Sequence, residues 1–545
     1  MILKKCIFLY LIFEIVSAQN SAAPFQLSII HFNDFHSRFE PTTLSAGTCS
    51  DLTKCVGGFS RLYAQIMTML ETNPKSILLN AGDSFQGTLW YTIGRWNVTQ
   101  QFINKLPIDA ETIGNHEFDH GIQGLVPYIK ALKHPVVASN IDDSLEPDFQ
   151  GIYNKSVVIE RNGRKIGVIG VVSTDYPIIC NSENLKFLDE SASVNAEAER
   201  LVREEGVFTN IVLSHSGYET DKLIASNASS KISLIVGAHS HTFLWTGDNP
   251  PGPAIVEGPY PTIIESRLGH KVLVTQASAF CRYLGNITIF LDDAGEILDY
   301  SGAPIFLDNH FPQDESINAE LQYWKNIVDV EGGQIVGNSL VRLSTTGCYY
   351  KECSLGNFVT DAMVYAYTKV VPETYWTEAA IGFINAGGLR TDIEPGDITY
   401  NALITSQPFE NTFDFGVLTG QDIKALLELA VQDFDPGNPT RSLNLLQVSG
   451  IKLEYDLSRN RGDRVVSVKI RCQNCTIPVY GNLDAKRDYN IVVNSYLMRN
   501  TSRYEVLSKK TRNRKVGRKD TDVLREYVRN NSPLFQEEFG RILFK

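Results

Sequence analysis

Residues 232–241 read ISLIVGAHSH: an apolar run rich in β-branched side chains, a glycine, then two histidines two positions apart. A run this short, stopped by Gly237, reads as a buried strand, and the histidines stand just past its carboxyl end. The same design recurs along the chain. LSIIHF (27–32), SILLNAGD (76–83), VVASN (136–140), KIGVIGVVS (165–173) and TNIVLSHSG (209–217) alternate with amphipathic stretches from Leu27 to about Pro304. Strands alternating with helices argue an α/β domain, and open α/β sheets hold ligands beyond the carboxyl ends of their strands.

Those ends are crowded with donor atoms. Asp34 and His36 lie in HFNDFH, Asp83 in NAGDSFQG, Asn115 and His116 in GNHEFD, His215 in LSHSG, and His239 and His241 in GAHSH. Carboxylate, amide oxygen and imidazole, with no thiolate among them, suit a pair of divalent ions of the zinc, manganese or iron kind. Taken singly, each is more often a hydrogen-bonded core residue or a turn. Five such ends, in one half of one domain and in this order, are hard to obtain by accident.

That order, Asp-x-His, Gly-Asp, Gly-Asn-His-Glu, His, Gly-x-His-x-His, resembles the dinuclear metallophosphatases. GNHEFD, INAGGLR (384–390), QPFENTFDFGVLTG (407–420) and YDLSRNRGDRV (455–465) are similar to the 5′-nucleotidase and apyrase family over nearly all the mature chain. Animal ecto-5′-nucleotidases and the secreted salivary apyrases of blood-feeding arthropods are the members it looks most like. The resemblance implies a four-layer α/β/β/α metallophosphatase domain over residues 25–312 and a C-terminal mixed α/β nucleotide-binding domain over 335–545. It implies that Asp34, His36 and His241 hold one metal, that Asn115, His215 and His239 hold the other, and that Asp83 bridges them. Zinc is the expected ion, with manganese, calcium or magnesium as alternatives. Such a pair activates water and clamps phosphate oxygens. By the same resemblance His116 stabilises charge on the transferring phosphoryl group and Asp119 orients its ring. His120 has no family role and reads as a surface residue.

In the second domain the resemblance assigns Phe409 and Tyr496 to the two faces of the base, Asn385 to a base contact and Arg390 to phosphate. Gly387 and Gly388 allow close backbone approach. Two departures stand out. Tyr349 occupies the place of an arginine after the first cysteine of CYYKEC, and Ser502 that of an aspartate that grips the ribose. Both losses fall on binding, so the expectation is intact hydrolysis with relaxed nucleotide selection. The implied activity is that of an apyrase, converting extracellular ATP and ADP to AMP and phosphate, with inhibition of platelet aggregation as its consequence. A 5′-nucleotidase acting on AMP is the alternative. A third reading, an integrin or platelet-binding protein, rests on Arg461-Gly462-Asp463, which reads more simply as a hairpin turn.

The rest of the chain bounds these readings. Its 545 residues exceed one hydrophobic core and predict two large units. Between them, Ile317, Leu321, Trp324 and Val328 fall at helical spacing before Gly332 and Gly333, predicting a linker helix within 313–334. Further helices are expected near 355–368 and 421–434, and strands at VVSVKIRC and YNIVVNSYL. Lys4 and Lys5, an apolar run and small Ser17 and Ala18 read as a signal peptide over residues 1–18, hence a secreted, extracellular protein. Neither a transmembrane nor a lipid anchor is expected. Eight cysteines remain after the leader. Cys49 with Cys55, Cys348 with Cys353, and Cys472 with Cys475 could close small disulfide loops; Cys180 and Cys281 pair across the fold or stay free. Sequons begin at Asn97, Asn154, Asn227, Asn286, Asn474, Asn500 and Asn530. The net charge of −12 disfavours nucleic acid as a partner. The basic run 509–519 reads as a solvated loop, with docking to anionic cell surfaces as the rival. Family members occur as both monomers and dimers.

Overall fold

The computed structural model describes residues 23–545 apart from 50, 52, 369–375 and 500–502. The expected leader, the Asn500 sequon and Ser502 lie outside the described residues. In the first half, two sheets face each other. One runs in the order Ile297–Ser301, Tyr283–Leu291, Phe25–Phe32, Ile77–Asn80, Ala110–Thr112, Val136–Val137; the other runs Thr262–Glu265, Lys271–Thr275, Ile232–Val236, Thr209–His215, Arg164–Val172, Ser156–Arg161.

Alternation along the strands builds the layers. Leu27, Ile29, Ile77 and Leu79 point into the core between the sheets, where they meet Val168, Ile211 and Leu234. Ile30, Phe32 and Leu78 point the other way, onto the helices Phe59–Thr72 and Leu89–Ile103. The helices Glu190–Arg200 and Tyr218–Ser226 supply Val194, Ala198, Ile224 and Ala225 to the core from the second sheet's side. Two sheets inside and helices outside are the α/β/β/α layering that the family resemblance implies.

The helix Glu315–Gly332 follows, its first turn capped by the Asp314 carboxylate, which accepts from the Ile317 N–H at 2.9 Å. Ile317, Leu321 and Val328 are buried, as their spacing predicts. The second half holds a five-stranded sheet, ordered Leu446–Ser449, Ile381–Asn385, Asp488–Asn494, Phe413–Thr419, Arg512–Lys515, and a four-stranded one, Tyr480–Asn482, Val465–Arg471, Ile451–Tyr455, Ile542–Phe544. The helices expected near 355–368 and 421–434 run Ser354–Ala366 and Gly420–Ala430.

Several expectations need correcting. The strand expected through YNIVVNSYL stops at Asn494, and Tyr496 lies in a short helix, Ser495–Arg499. The side-chain oxygen of Asn411 takes hydrogen bonds from the Ser495 hydroxyl and the Tyr496 N–H, drawing the chain out of the ladder. The basic run is not all loop: Arg512–Lys515 is an exposed edge strand, and charged side chains are a common guard against edge-to-edge pairing. Arg512, Lys515 and Arg518 are paired with Asp488, Glu378 and Glu526, which leaves less charge for an anionic surface. Three disulfides close as their spacing allows, Cys49–Cys55, Cys348–Cys353 and Cys472–Cys475. Cys180 and Cys281 do not form a disulfide: both are free thiols, packed in separate clusters, Cys180 with Tyr176 and Phe187, Cys281 with Phe35 and Phe59. Of the sequons, Asn97, Asn154, Asn474 and Asn530 are exposed, whereas Asn227 and Asn286 are half-buried.

Candidate dinuclear metal site

The polar strand ends converge because the chain turns sharply there. Asp34, His36, Asp83, His239 and His241 all have positive φ, between 49° and 73°, a backbone that non-glycine residues rarely adopt. Strain of this kind costs about 1–3 kcal/mol per residue and concentrates at functional sites. It turns five donor side chains inward that would otherwise follow the strand direction.

Asp83 is the centre of the arrangement. One of its oxygens accepts from the His116 N–H at 2.9 Å, and the other lies 3.6 Å from His36 Nε2 and 3.2 Å from His215 Nε2. Donor atoms of Asp34, His36, Asp83 and His241 all lie within 4.8 Å of one another, as do those of Asp83, His215 and His239. Two potential ligand sets therefore share one buried carboxylate. The Asn115 side-chain oxygen is 2.8 Å from His239 Nδ1 and so borders the second set.

Two observations make these sets fit cations. The Nδ1 atoms of His36 and His215 face the carbonyls of Phe85 and Ala81, which leaves each Nε2 facing the carboxylates as the atom a cation would take. Buried Asp34 Oδ1 and His215 Nε2 make no hydrogen bond. His36 and His241 also bring Nε2 atoms to 3.1 Å of each other beside Asp34, a geometry that a cation between them would satisfy.

The electrostatics agree. Burial holds the His36 imidazole well below its ordinary pKa against the opposing Asp83 charge, with the Arg390 charge adding to the fall; burial pushes His239 down to about 4 and lowers His241. All three imidazoles are held towards the neutral form that a cation needs. Burial opposes ionisation of Asp83, yet the His215 and His116 charges hold its carboxyl well below the usual range. For His215 burial also opposes the charge, but Asp83 wins and carries its pKa up to about 10, so a cation binding there displaces a proton.

His116 is set apart from these sets. Its Nδ1 lies 2.8 Å from Asp119, and although burial works against the charge, Asp119 raises its pKa. Gln86 donates to the same Asp119 carboxylate oxygen at 3.1 Å. His120, expected at the surface, is instead half-buried, stacked on Tyr91 with ring centres 5.6 Å apart.

Sequence reasoning missed Glu117. Its carboxylate is buried and takes hydrogen bonds from the N–H groups of Asp83, Phe85 and Gly114, at 3.0, 3.0 and 2.6 Å. It clamps two donor loops together. Nothing local signals this, since two of its partners lie 34 and 32 residues earlier. Gly114 is required at that meeting point, because a Cβ there would stand 2.1 Å from Asp83 Oδ1.

The second domain reaches the same place. Arg390 Nη2 is 3.3 Å from His36 Nε2, and the Phe409 ring stacks on His116 with centres 5.2 Å apart and planes 15° from parallel. Arg390 also lies 5.3 Å from the Phe409 ring centre. Asn385 accepts from the Asn494 amide at 3.0 Å, and Gly387 lies between Asn385 and the Tyr349 hydroxyl. Gly388 faces the Asn385 and Asn494 side chains. Thus Arg390 and Phe409 stand at the donor cluster, while Asn385, Gly387, Gly388 and Tyr349 gather at the end of the strand Ile381–Asn385.

One neighbour gives a pH prediction. Asp221 is buried, accepts from the Ser214 hydroxyl at 2.5 Å, and is pushed by burial from 3.8 up to about 8. The folded protein thus keeps a proton that the unfolded chain releases near 3.8, so this residue's contribution to stability falls as pH rises from about 4 to about 8. The slope is at most roughly 1.4 kcal/mol per pH unit. Asp221→Asn, isosteric and always neutral, is expected to lose less stability between pH 6 and pH 8 than the parent, read from urea midpoints of the metal-free proteins. An equal loss in both would refute it.

Residues 27–243 match the family described as calcineurin-like phosphoesterase, and residues 334–509 match that described as 5′-nucleotidase, C-terminal domain. The fold and its donor cluster define a metallophosphatase with a second, nucleotidase-type domain. An apyrase of Tabanus yao is 46% identical over 96% of this chain and 95% of its own, and the 5′-nucleotidase of Homo sapiens is 34% identical over 96% and 92%. The crystal structure of a 5′-nucleotidase precursor from Thermus thermophilus has a TM-score of 0.85 at 30% identity, covering 95% of this chain and 99% of that one. This chain belongs to the 5′-nucleotidase and apyrase family. Among the described residues no helix is long and apolar enough to cross a membrane. The integrin reading gains no support: Arg461 bonds to Gln432, and Asp463 is paired with Arg459.

Proposed function

We propose that this protein is a secreted, metal-dependent nucleotide phosphohydrolase of the apyrase type, removing terminal phosphate from extracellular ATP and ADP. One observation carries the reading: a buried carboxylate, Asp83, is shared by two histidine-bearing donor sets. The relatives named apyrase and 5′-nucleotidase support nucleotide as the substrate. The leader expected over residues 1–18 fits an extracellular setting, and the three disulfides suit an oxidising one.

Asp34, His36 and His241 would hold one cation, Asn115, His215 and His239 the other, with Asp83 between. The imidazole-rich set suits zinc, and its oxygen donors leave manganese, calcium and magnesium as alternatives. When bound, the pair supplies activated water and neutralises phosphate oxygens. The chain does the rest. His116, whose charged form Asp119 favours through Nδ1 against the cost of burial, would donate from Nε2 to the transferring phosphoryl group. Arg390 brings a guanidinium to the phosphates. Phe409 and Tyr496 offer ring faces to the base, each worth about 1–3 kcal/mol with little discrimination among bases. Asn385 contacts the base edge, and Gly387 and Gly388 admit it closely.

AMP hydrolysis to adenosine is the second reading, favoured by the relatives named 5′-nucleotidase. Phosphate release from ATP, ADP and AMP, side by side and with or without a chelator, separates the two. Release from ATP and ADP well above that from AMP, all abolished by chelator, is expected. AMP consumed fastest would replace the apyrase reading, and chelator-insensitive release would end both.

A further inference from the structure

A residue pair outside the donor cluster joins the two domains. Arg95 interrupts the helix Leu89–Ile103 with φ 50° and ψ −146°. Glu410, directly after Phe409, also has positive φ, 53°. Neither backbone is favourable for a residue with a Cβ, so each needs a compensating contact. The compensation is mutual. Nη2 of Arg95 lies 3.0 and 3.3 Å from the two Glu410 carboxylate oxygens, while Nη1 contacts the His120 ring nitrogen. The guanidinium is also 5.7 Å from the centre of the Tyr91 ring, the ring on which His120 stacks.

The neighbours of Glu410 show what the pair controls. On one side Phe409 lies flat on His116. On the other, Asn411 accepts from Ser495 and from the Tyr496 N–H, at 2.9 and 3.1 Å, and its own N–H donates to Asp520 at 3.1 Å. One loop of three residues therefore carries an aromatic wall, the salt bridge and the anchor of the helix that bears the other aromatic.

We propose that Arg95 and Glu410 form an inter-domain latch that positions the Phe409 loop over the donor cluster and so sets the affinity for nucleotide. This rests on nucleotide being the substrate. With side chains 36% and 21% exposed, the pair is partly solvated, which suits a clasp that opens for each substrate molecule rather than a permanent staple.

Charge reversal tests it in the full-length, metal-loaded protein. Arg95→Glu and Glu410→Arg are each expected to raise KM for ADP about tenfold, with kcat within about twofold and bound metal unchanged. The double variant restores the pair with its poles exchanged and is expected to return KM to within about twofold of the parent. The neutral variants Arg95→Gln and Glu410→Gln, which add no repulsion, are expected to raise KM about threefold even if a reversal fails to fold. Unchanged KM in the neutral variants, or a folded double variant as impaired as its singles, would overturn the latch. Small-angle scattering without nucleotide reads the same contact independently of hydrolysis: the folded single reversals expand and the double is as compact as the parent. Singles as compact as the parent would also overturn it. A parent that releases phosphate from no nucleotide would instead sink the functional reading, with the scattering result still deciding the latch.

Discussion

Asp83→Asn is expected to eliminate phosphate release from ATP, ADP and AMP together, by about a thousandfold or more. The substitution keeps the size of the side chain, and its oxygen can still accept the His116 N–H, which Asp83 takes at 2.9 Å. What disappears is the negative charge facing His36 and His215 at 3.6 and 3.2 Å, the charge on which both donor sets depend. Several kcal/mol of stabilisation of the transition state depends on a bound cation pair, and about 4 kcal/mol corresponds to roughly a thousandfold in rate. Metal content, read by elemental analysis of the purified protein, should fall in parallel. Survival of one nucleotide activity while the others vanish would mean that two sites exist, and a single shared carboxylate would no longer explain the chemistry.

Replacing His116 with Gln should separate binding of metal from catalysis. The His116 Nδ1 is committed to Asp119, and its ring is covered by Phe409 instead of completing either donor set. Both cations should therefore remain, while kcat drops about 10²- to 10³-fold, the usual cost of removing one pre-positioned donor to a charge that develops in the transition state. Asp119→Asn should give a smaller loss, about 10- to 100-fold, since it disturbs only the orientation and charge of that ring. A His116→Gln protein that loses metal in proportion to activity would make this histidine a ligand and contradict its place outside both donor sets.

Much of the site was legible because each donor interrupts an apolar run. A polar residue such as His239 or Asp83 at the end of a buried strand says little alone, but the order of the five ends together carried the resemblance to a family. The layering came with that resemblance, and in the structure Ile29 and Ile30 face opposite sides of their strand accordingly. The exceptions were residues whose partners are distant in sequence. Glu117 was given no role, yet it holds the Asp83 loop by that loop's backbone N–H groups. His120 looked like a surface residue until Tyr91 and Arg95 were seen against it. Tyr496 read as part of a strand, because the pull of Asn411 on its N–H is invisible in a pattern of alternating residues.

The amino-acid order by itself gave most strands of the first domain and the candidate donors at their ends, because these depend on local hydrophobic pattern and on which atoms a side chain owns. Only the folded chain decided that Asp83 lies between two donor sets, that Cys180 and Cys281 stay apart, and that Arg390 and Phe409 of the second domain stand against His36 and His116. Such relations arise where strained turns and long-range hydrogen bonds aim side chains across the molecule, and direction in space is a property that no short window of sequence contains.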